Sequence, residues 1–435
     1  MATTEFKTTR QNVLLFSILF MGLSHILHFK QYLKGVLYAL VEIVFLFSLP
    51  DIVRILYGMI TLGESNPNIP VMFRDHSMFM LIDGVIVLAI VLIFVCIYVM
   101  SVKGALTLHG EFSTGNSSKG SIKELFNKSF PLFALTPSIL LVVFFVIVPL
   151  VFAALVAFTN YSAPFNLPPA NTVDWVGFDN FRALFGGEVM WATALSRVAL
   201  WTFIWGLLAT ATCYFGGMIM AVVMHDNNLK ILRIYRAIFI LPYAVPAVIS
   251  MMVWRNLLNG TFGAVNRTLM ALGIISSNIP WLTDQWMVRF TVVLINLWAG
   301  FPYFMLLTMG AMTAISKDTF EAATIDGANK FGLFRYITFP LVTYQTMPLI
   351  IMSFAHNINN FGAIFFLTGG QPVVADTTIS GATGADILIT WIYRLTAERM
   401  LYHYASVLAI MIFVVMAPFA IFNFMRTRSF REGEL

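Results

Sequence analysis

The sequence predicts an all-α polytopic membrane protein with about eight transmembrane helices, and three observations carry that prediction. Only 11% of its residues are charged while 59% are hydrophobic, against about 25% charged residues in soluble domains. The mean hydropathy is +0.83. The apolar residues also gather into runs of roughly the 20 residues that a bilayer crossing needs. Such runs centre on residues 35–53, 79–101, 131–159, 198–224, 234–258, 288–314, 340–367 and 403–425. A core of this kind is buried against lipid and neighbouring helices rather than against water.

Before the first run, "MATTEFKTTRQ" leads into an apolar stretch that ends in "SHILHFKQYLKG". No small-residue cleavage site follows it, so it does not read as a cleavable signal. Residues 12–29 are expected to form an interfacial or re-entrant helix, with a full span as the alternative. If the N-terminus lies inside, all ten Lys and seven of the sixteen Arg face the cytoplasm, the bias of a bacterial plasma-membrane protein with both termini cytoplasmic. The same rule accounts for the net charge of +5. No basic helix rich enough to follow phosphates is present, so nucleic acid is not expected as a partner. Cys96 and Cys213 both fall in apolar runs and offer neither a disulfide framework nor a metal cluster.

The cytoplasmic stretch "HGEFSTGNSSKGSIKE" (109–124) has the composition of a flexible linker. It suggests an N-terminal interfacial segment (1–30), two accessory spans with the linker (31–128), a six-span unit (129–425) and a tail (426–435). External segments 160–187 and 276–286 are rich in Pro, Gly and aromatics, as expected of compact loops at a membrane surface. Pro242 and Pro246 are expected to kink or break the fifth span where it lines a cavity. Glu42, in the first span, is either functional or a small interhelical partner.

The segment "TFEAATIDGANKFGLFRYITFPLV" (319–342) places Glu321, Asp326, Lys330 and Arg335 between two spans. Asp318 can cap a short helix here, and Glu321, three residues on, can close a capping box. Gly327 and Gly332 allow chain reversal or close backbone approach. The plain reading is a solvated connector. The residues, however, match the EAA motif, and the loop resembles that of binding-protein-dependent ABC importer permeases. Glu321, Ala322, Ala323, Gly327, Ile337 and Pro340 stand at the motif's spacings, with Phe339 where Leu is usual. The resemblance implies a six-helix, MetI-like core whose coupling helix, 316–332, docks into a groove on a separate ATPase subunit. Small residues would let that helix seat deeply, and Glu321 could pair with a basic groove residue. No GxxxxGK[ST] sequence occurs, and "GNSSKGS" lacks its spacing. ATP and magnesium are therefore expected on partner subunits, with no cofactor, metal or catalytic residue on this chain.

In "LIIMSFAHNINNFGAIFFLTGG" (349–370), a continuous helix would put Ser353, His356, Asn357 and Asn360 on one arc of about 100°, with Asn359 elsewhere. Such a stripe must face a cavity or another helix. It is either interhelical hydrogen-bonding glue or an uncharged site for hydroxylated ligands; a proton relay through His356 lacks a carboxylate on the same span. Residues 129–425 resemble the MalF-type permease of maltose/maltodextrin importers, through "LPYAVPAVISMMVWRNLLNGTFGAVN", "NLWAGFPYFMLLTMGAMTAI", "SFAHNINNF" and "LTGGQP". By local matching, the resemblance puts sugar contacts on Tyr243, Ala299, Gly300, Ser353, His356, Asn357 and Asn360. His356 replaces a Phe and Ala299 a Leu of that family, and the external loop (160–197) lacks the family's large insertion.

The sequence thus reads as one permease subunit of an ATP-driven oligosaccharide importer, maltodextrin being the leading substrate. The resemblance implies as partners a second, MalG-like permease subunit, an ATPase dimer and an extracytoplasmic sugar-binding protein. Two rivals are a stand-alone secondary transporter, which needs intramembrane ionisable pairs, and a glycosyl-lipid enzyme. The latter needs paired carboxylates, and Asp174, Asp179, Asp284 and Asp376 show no such spacing.

Overall fold

The computed structural model describes residues 9–113, 130, 134–225 and 231–425. Most of the predicted linker, the boundary near residue 128 and the C-terminal tail lie outside these residues. By packing, the chain divides into two compact units, 1–176 and 177–435. Among the described residues no strand forms; Thr159–Trp175 and Ser162–Asn166 are isolated bridges.

In the first unit, two short helices, α1 (Arg10–Leu19) and α2 (Leu23–Leu27), precede three of spanning length. These are α3 (Tyr32–Thr61), α4 (Ser77–Ser113) and α5 (Ala134–Val156). Helices α3 and α4 pack as a pair, with Phe45 and Phe94 stacked at 3.7 Å between ring centroids. The external loop is pinned back onto them: Trp175 Nε1 donates to the Ile60 carbonyl at 2.9 Å, and the Val173 amide donates to Ser77 Oγ at 3.0 Å. Glu42 is a structural partner: its carboxylate accepts from the Met21 backbone amide.

The second unit holds four continuous helices of spanning length and one broken pair. The continuous helices are α6 (Val189–His225), α10 (Gln285–Thr313), α12 (Lys330–Ile358) and α15 (Tyr402–Met425). The broken pair is α7 (Ile231–Ala244) and α8 (Ala247–Leu257), bent by 93°. Shorter helices are α9 (Ala264–Ala271), α11 (Lys317–Ile325), α13 (Phe361–Thr368) and α14 (Leu388–Tyr393). Among the described residues seven helices are long and apolar enough to cross, or eight if the bent pair is one span.

Two predicted spans depart from a single rod. The fifth (234–258) turns at Pro246, which lacks an amide hydrogen and disfavours helix in the residue before it. The seventh (340–367) ends at Ile358, and Asn360 starts a new helix by accepting from the Ala363 amide at 3.1 Å. Another correction concerns α11: Ser316, not Asp318, is its cap, accepting from the Thr319 amide at 3.3 Å. The predicted box with Glu321 does not form, because Thr319 occupies the third helical position and its hydroxyl meets Ser316 Oγ at 2.8 Å.

Helices α6 and α10 form the most extensive helix contact of this unit. Gly217 permits it: a Cβ there would lie 2.6 Å from the Met305 nitrogen, so small residues let the two backbones close up. Between α13 and α14 the chain forms one short helix, Thr377–Ser380, and the irregular residues 381–387 that follow are buried. Several of their backbone groups bond side chains of α6, and the Gly384 carbonyl accepts from Arg289 of α10. Arg197 donates to the Thr383 carbonyl at 2.6 Å, Trp201 Nε1 to the Ala385 carbonyl at 3.1 Å, and Thr202 Oγ1 accepts from the Leu388 amide at 2.9 Å. Two ion pairs lock the ends, Arg197–Asp376 at 2.8 Å and Arg394–Asp386 at 3.0 Å. Of the four external aspartates noted in the sequence, Asp376 is thus an ion partner and Asp284 the cap of α10.

Removing one member of a buried pair strands the other. Asp376→Leu is expected to lower stability by about 3–5 kcal/mol, while the double replacement Arg197→Met, Asp376→Leu recovers only part of the loss, because it also strips the hydrogen bonds to the Thr383 and Ala382 carbonyls. Thermal unfolding of the detergent-solubilised protein measures both.

Candidate functional site

A cavity of about 620 Å³ opens in the second unit where α7 meets α8 and α12 meets α13, with α6 and α10 forming its remaining wall. All seven residues singled out from the sequence line it: Tyr243, Ala299, Gly300, Ser353, His356, Asn357 and Asn360. Among the described residues no Asp, Glu, Lys or Arg does.

The helix break changes how the polar stripe is built. Ser353, His356 and Asn357 belong to α12, but Asn360 reaches the cavity as the cap of α13 rather than as the next point on one helical face. Asn359, at the end of α12, is exposed and outside the lining. Asn357 is buried, with its amide nitrogen donating to Thr210 Oγ1 at 3.0 Å and its carbonyl accepting from Trp205 Nε1 at 2.9 Å. Asn357 therefore holds α12 to α6, Asn360 starts α13, and both line the cavity at once.

Helix α10 supplies a second face, and the sequence reading missed half of it. Asn296, Ala299, Gly300 and Tyr303 lie three or four residues apart, so they share one side of the helix and all line the cavity. That spacing was visible signal. Asn296 is buried, its amide 3.4 Å from Cys213 Sγ. Gly300 has a packing requirement of its own, because a Cβ at this position would stand 2.8 Å from Cys213 Sγ. Tyr243, on the broken span, faces Tyr303 with ring centroids 6.3 Å apart and planes at 29°. Ser250, one turn beyond Pro246, completes the α8 side.

Chemically the lining combines amides, hydroxyls and one imidazole with two phenol rings. Amides and hydroxyls both donate and accept. Aromatic faces offer apolar area beside a polar tip. This is a setting for an uncharged ligand rich in hydroxyl groups.

The second predicted site lies at the loop between α10 and α12. Helix α11 carries Glu321, Ala322 and Ala323 and buries none of its residues. Gly327 follows with φ +88° and open space around it, so the requirement for glycine is the left-handed turn rather than a neighbour. Ile337 and Pro340 are not on this helix; they stand in the base of α12. There the Phe339 amide bonds the Phe334 carbonyl, five residues back, over a widened turn at 334–338. A proline at 340, having no amide hydrogen, accommodates such an irregular turn. Ile325 is 86% exposed and Phe331 71%, large apolar side chains at the end of α11 and in the first turn of α12.

Comparison with known proteins gives the following likenesses. Residues 213–431 match the family described as binding-protein-dependent transport system inner membrane component. The galactooligosaccharides transport system permease protein GanP of Bacillus subtilis is 35% identical over 97% of this chain and 99% of its own length. The maltodextrin transport system permease protein MalC of Streptococcus pneumoniae is 34% identical over 92% of each chain. In fold, the chain is similar to a bacterial ABC transporter involved in the import of the acidic polysaccharide alginate. That crystal structure aligns with a TM-score of 0.56 and 23% identity over 69% of this chain and 96% of the other.

The contact between Gly300 and Cys213 makes a paired test. Gly300→Ala is expected to destabilise the α6–α10 interface by about 1–3 kcal/mol, as overpacking does. Adding Cys213→Ala, which removes the opposing sulfur, restores stability; equal losses in the single and double variants, read by thermal unfolding, would show that this contact is not the cause.

Proposed function

The chain belongs to the family of binding-protein-dependent transport system inner membrane components, and from that premise we propose that it is the transmembrane permease subunit of an ATP-driven oligosaccharide importer. The observation that carries the reading is the uncharged cavity at the two helix breaks, walled by amides, hydroxyls and tyrosine rings. The relatives named above for galactooligosaccharides and maltodextrin handle cargo of that chemistry. We assign the seven lining residues to the sugar, with Tyr243 and Tyr303 offering ring faces and Ser353, His356, Asn357 and Asn360 offering hydrogen bonds. Maltodextrin remains the leading candidate.

In this reading α11 is the coupling helix. Its surface, none of it fully buried, with the apolar Ile325 at its end and Phe331 beyond it, suits docking onto another chain. ATP and magnesium act on two separate ATPase subunits, where hydrolysis supplies the free energy; this chain makes and breaks no bond. A second permease subunit and an extracytoplasmic binding protein complete the assembly. The six spans of 129–425 form its core, with both termini cytoplasmic as the Lys and Arg distribution indicates. Closure of the ATPase pair, passed through α11 to α10 and α12, turns the cavity from one face of the membrane to the other.

Two experiments separate these roles. Glu321→Lys with Gly327→Leu is expected to abolish co-purification of the ATPase while membrane insertion is retained. In the cavity, Asn360→Ser keeps a capping oxygen but shortens the reach, whereas Asn360→Ala removes both. If Asn360 serves the sugar, both variants lose apparent affinity by about 1–3 kcal/mol, roughly five- to 150-fold, in sugar-stimulated ATP hydrolysis. If it serves only the fold, the serine variant behaves as the parent does.

A further inference from the structure

Residues 10–29 form a hairpin whose polarity is inverted. A helix at a water-exposed surface turns its apolar side inward. Helix α1 buries Val13 and Ser17 but exposes Leu14, Leu15, Ile18 and Leu19, the last at 64%. Helix α2 buries Ser24 and His25 and exposes Leu27 at 57%. It packs on α3, whose first turns expose Leu33, Val36 and Leu37 in the same way, and α3 is long and apolar enough to be a span.

The tip is sealed by side chains rather than left to solvent. At Phe20–Gly22 the helical ladder is interrupted, and two of the loosened backbone groups find partners on other helices. The Met21 amide donates to the Glu42 carboxylate, and the Tyr98 hydroxyl donates to the Ile18 carbonyl at 2.6 Å. Ser24 Oγ ties the two arms by donating to the Val13 carbonyl at 2.8 Å. Gly22, with φ +80°, rests on the backbone of Gly35. Such substitutes matter most where no water can reach the freed backbone groups.

The depth follows from α3. The tip meets Gly35 and Glu42, three to ten residues past Tyr32, which is roughly 5–15 Å along a helix rising 1.5 Å per residue. That reach stays within half of a hydrocarbon core about 30 Å thick. Arg10, Lys30 and Lys34 cluster in sequence where the hairpin enters and leaves, the place for cations beside lipid phosphates. We propose that residues 10–29 are a re-entrant hairpin set into one leaflet, its tip closed by Glu42 and its outer face, Leu14, Leu15, Ile18, Leu19 and Leu27, in contact with lipid acyl chains.

The test uses the full chain in lipid bilayers, in a Cys96→Ala background because Cys96 is exposed. An environment-sensitive fluorophore is placed at position 15 or 18 through Leu15→Cys or Ile18→Cys, with Asn66→Cys, in an exposed loop, as the aqueous control. Lipids brominated along the acyl chain are expected to quench both hairpin labels, and aqueous iodide to quench them at least fivefold less than the control. Iodide quenching equal to the control overturns the proposal, as does protection from both quenchers, which would mean that protein covers the face. Glu42→Gln still accepts the Met21 hydrogen bond and is expected to preserve the pattern, whereas Glu42→Leu admits iodide to position 18. An unchanged pattern in the leucine variant refutes the role given to Glu42.

Discussion

The architecture turns on one constraint: inside hydrocarbon, a backbone amide or carbonyl that leaves a helix must find its partner within the protein. Several informative features of this chain sit where a helix stops. The cavity opens at the Val245–Pro246 and Asn359–Asn360 breaks. The buried irregular stretch 381–387 survives because Arg197 and Trp201 of α6 bond its backbone and Thr202 bonds the Leu388 amide at its end. A continuous helix has its polar backbone consumed internally and can offer a ligand only side chains. A broken one needs polar side chains nearby for its own repair, and so brings them to the place where a ligand can use them.

That double demand explains why no sharp line separates structural from binding residues here. Asn357 ties α12 to Thr210 and Trp205, and Asn360 starts α13, yet both line the cavity. Gly300 is small because Cys213 leaves no room for a side chain, and that same smallness keeps the wall open beside Asn296 and Tyr303.

Much of this was legible in the amino-acid sequence. Spans follow from long apolar runs, whose signal is additive over 20 residues and hard to miss. The seven lining residues were assembled partly by helical spacing and partly through a family resemblance, and the spacing was right for Ser353, His356 and Asn357. It placed Asn360 on the correct wall for a different reason, because an asparagine can continue a helical face or begin a new helix and only the fold decides which. Asn296 escaped attention as a lone amide in an apolar run, although its register with Gly300 and Tyr303 was there to be read. The capping of α11 by Ser316 in place of Asp318 reflects a competition between two good caps two residues apart. What the sequence could not disclose were the long-range ion pairs. Arg197 and Asp376 are 179 residues apart, and no local pattern joins them.

The absence of Asp, Glu, Lys and Arg from the cavity wall, among the described residues, has an electrical meaning. A fixed charge carried across the bilayer field exchanges about 2.3 kcal/mol for every 100 mV. A wall without Asp, Glu, Lys or Arg brings no such carboxylate, ammonium or guanidinium charge of its own to that exchange.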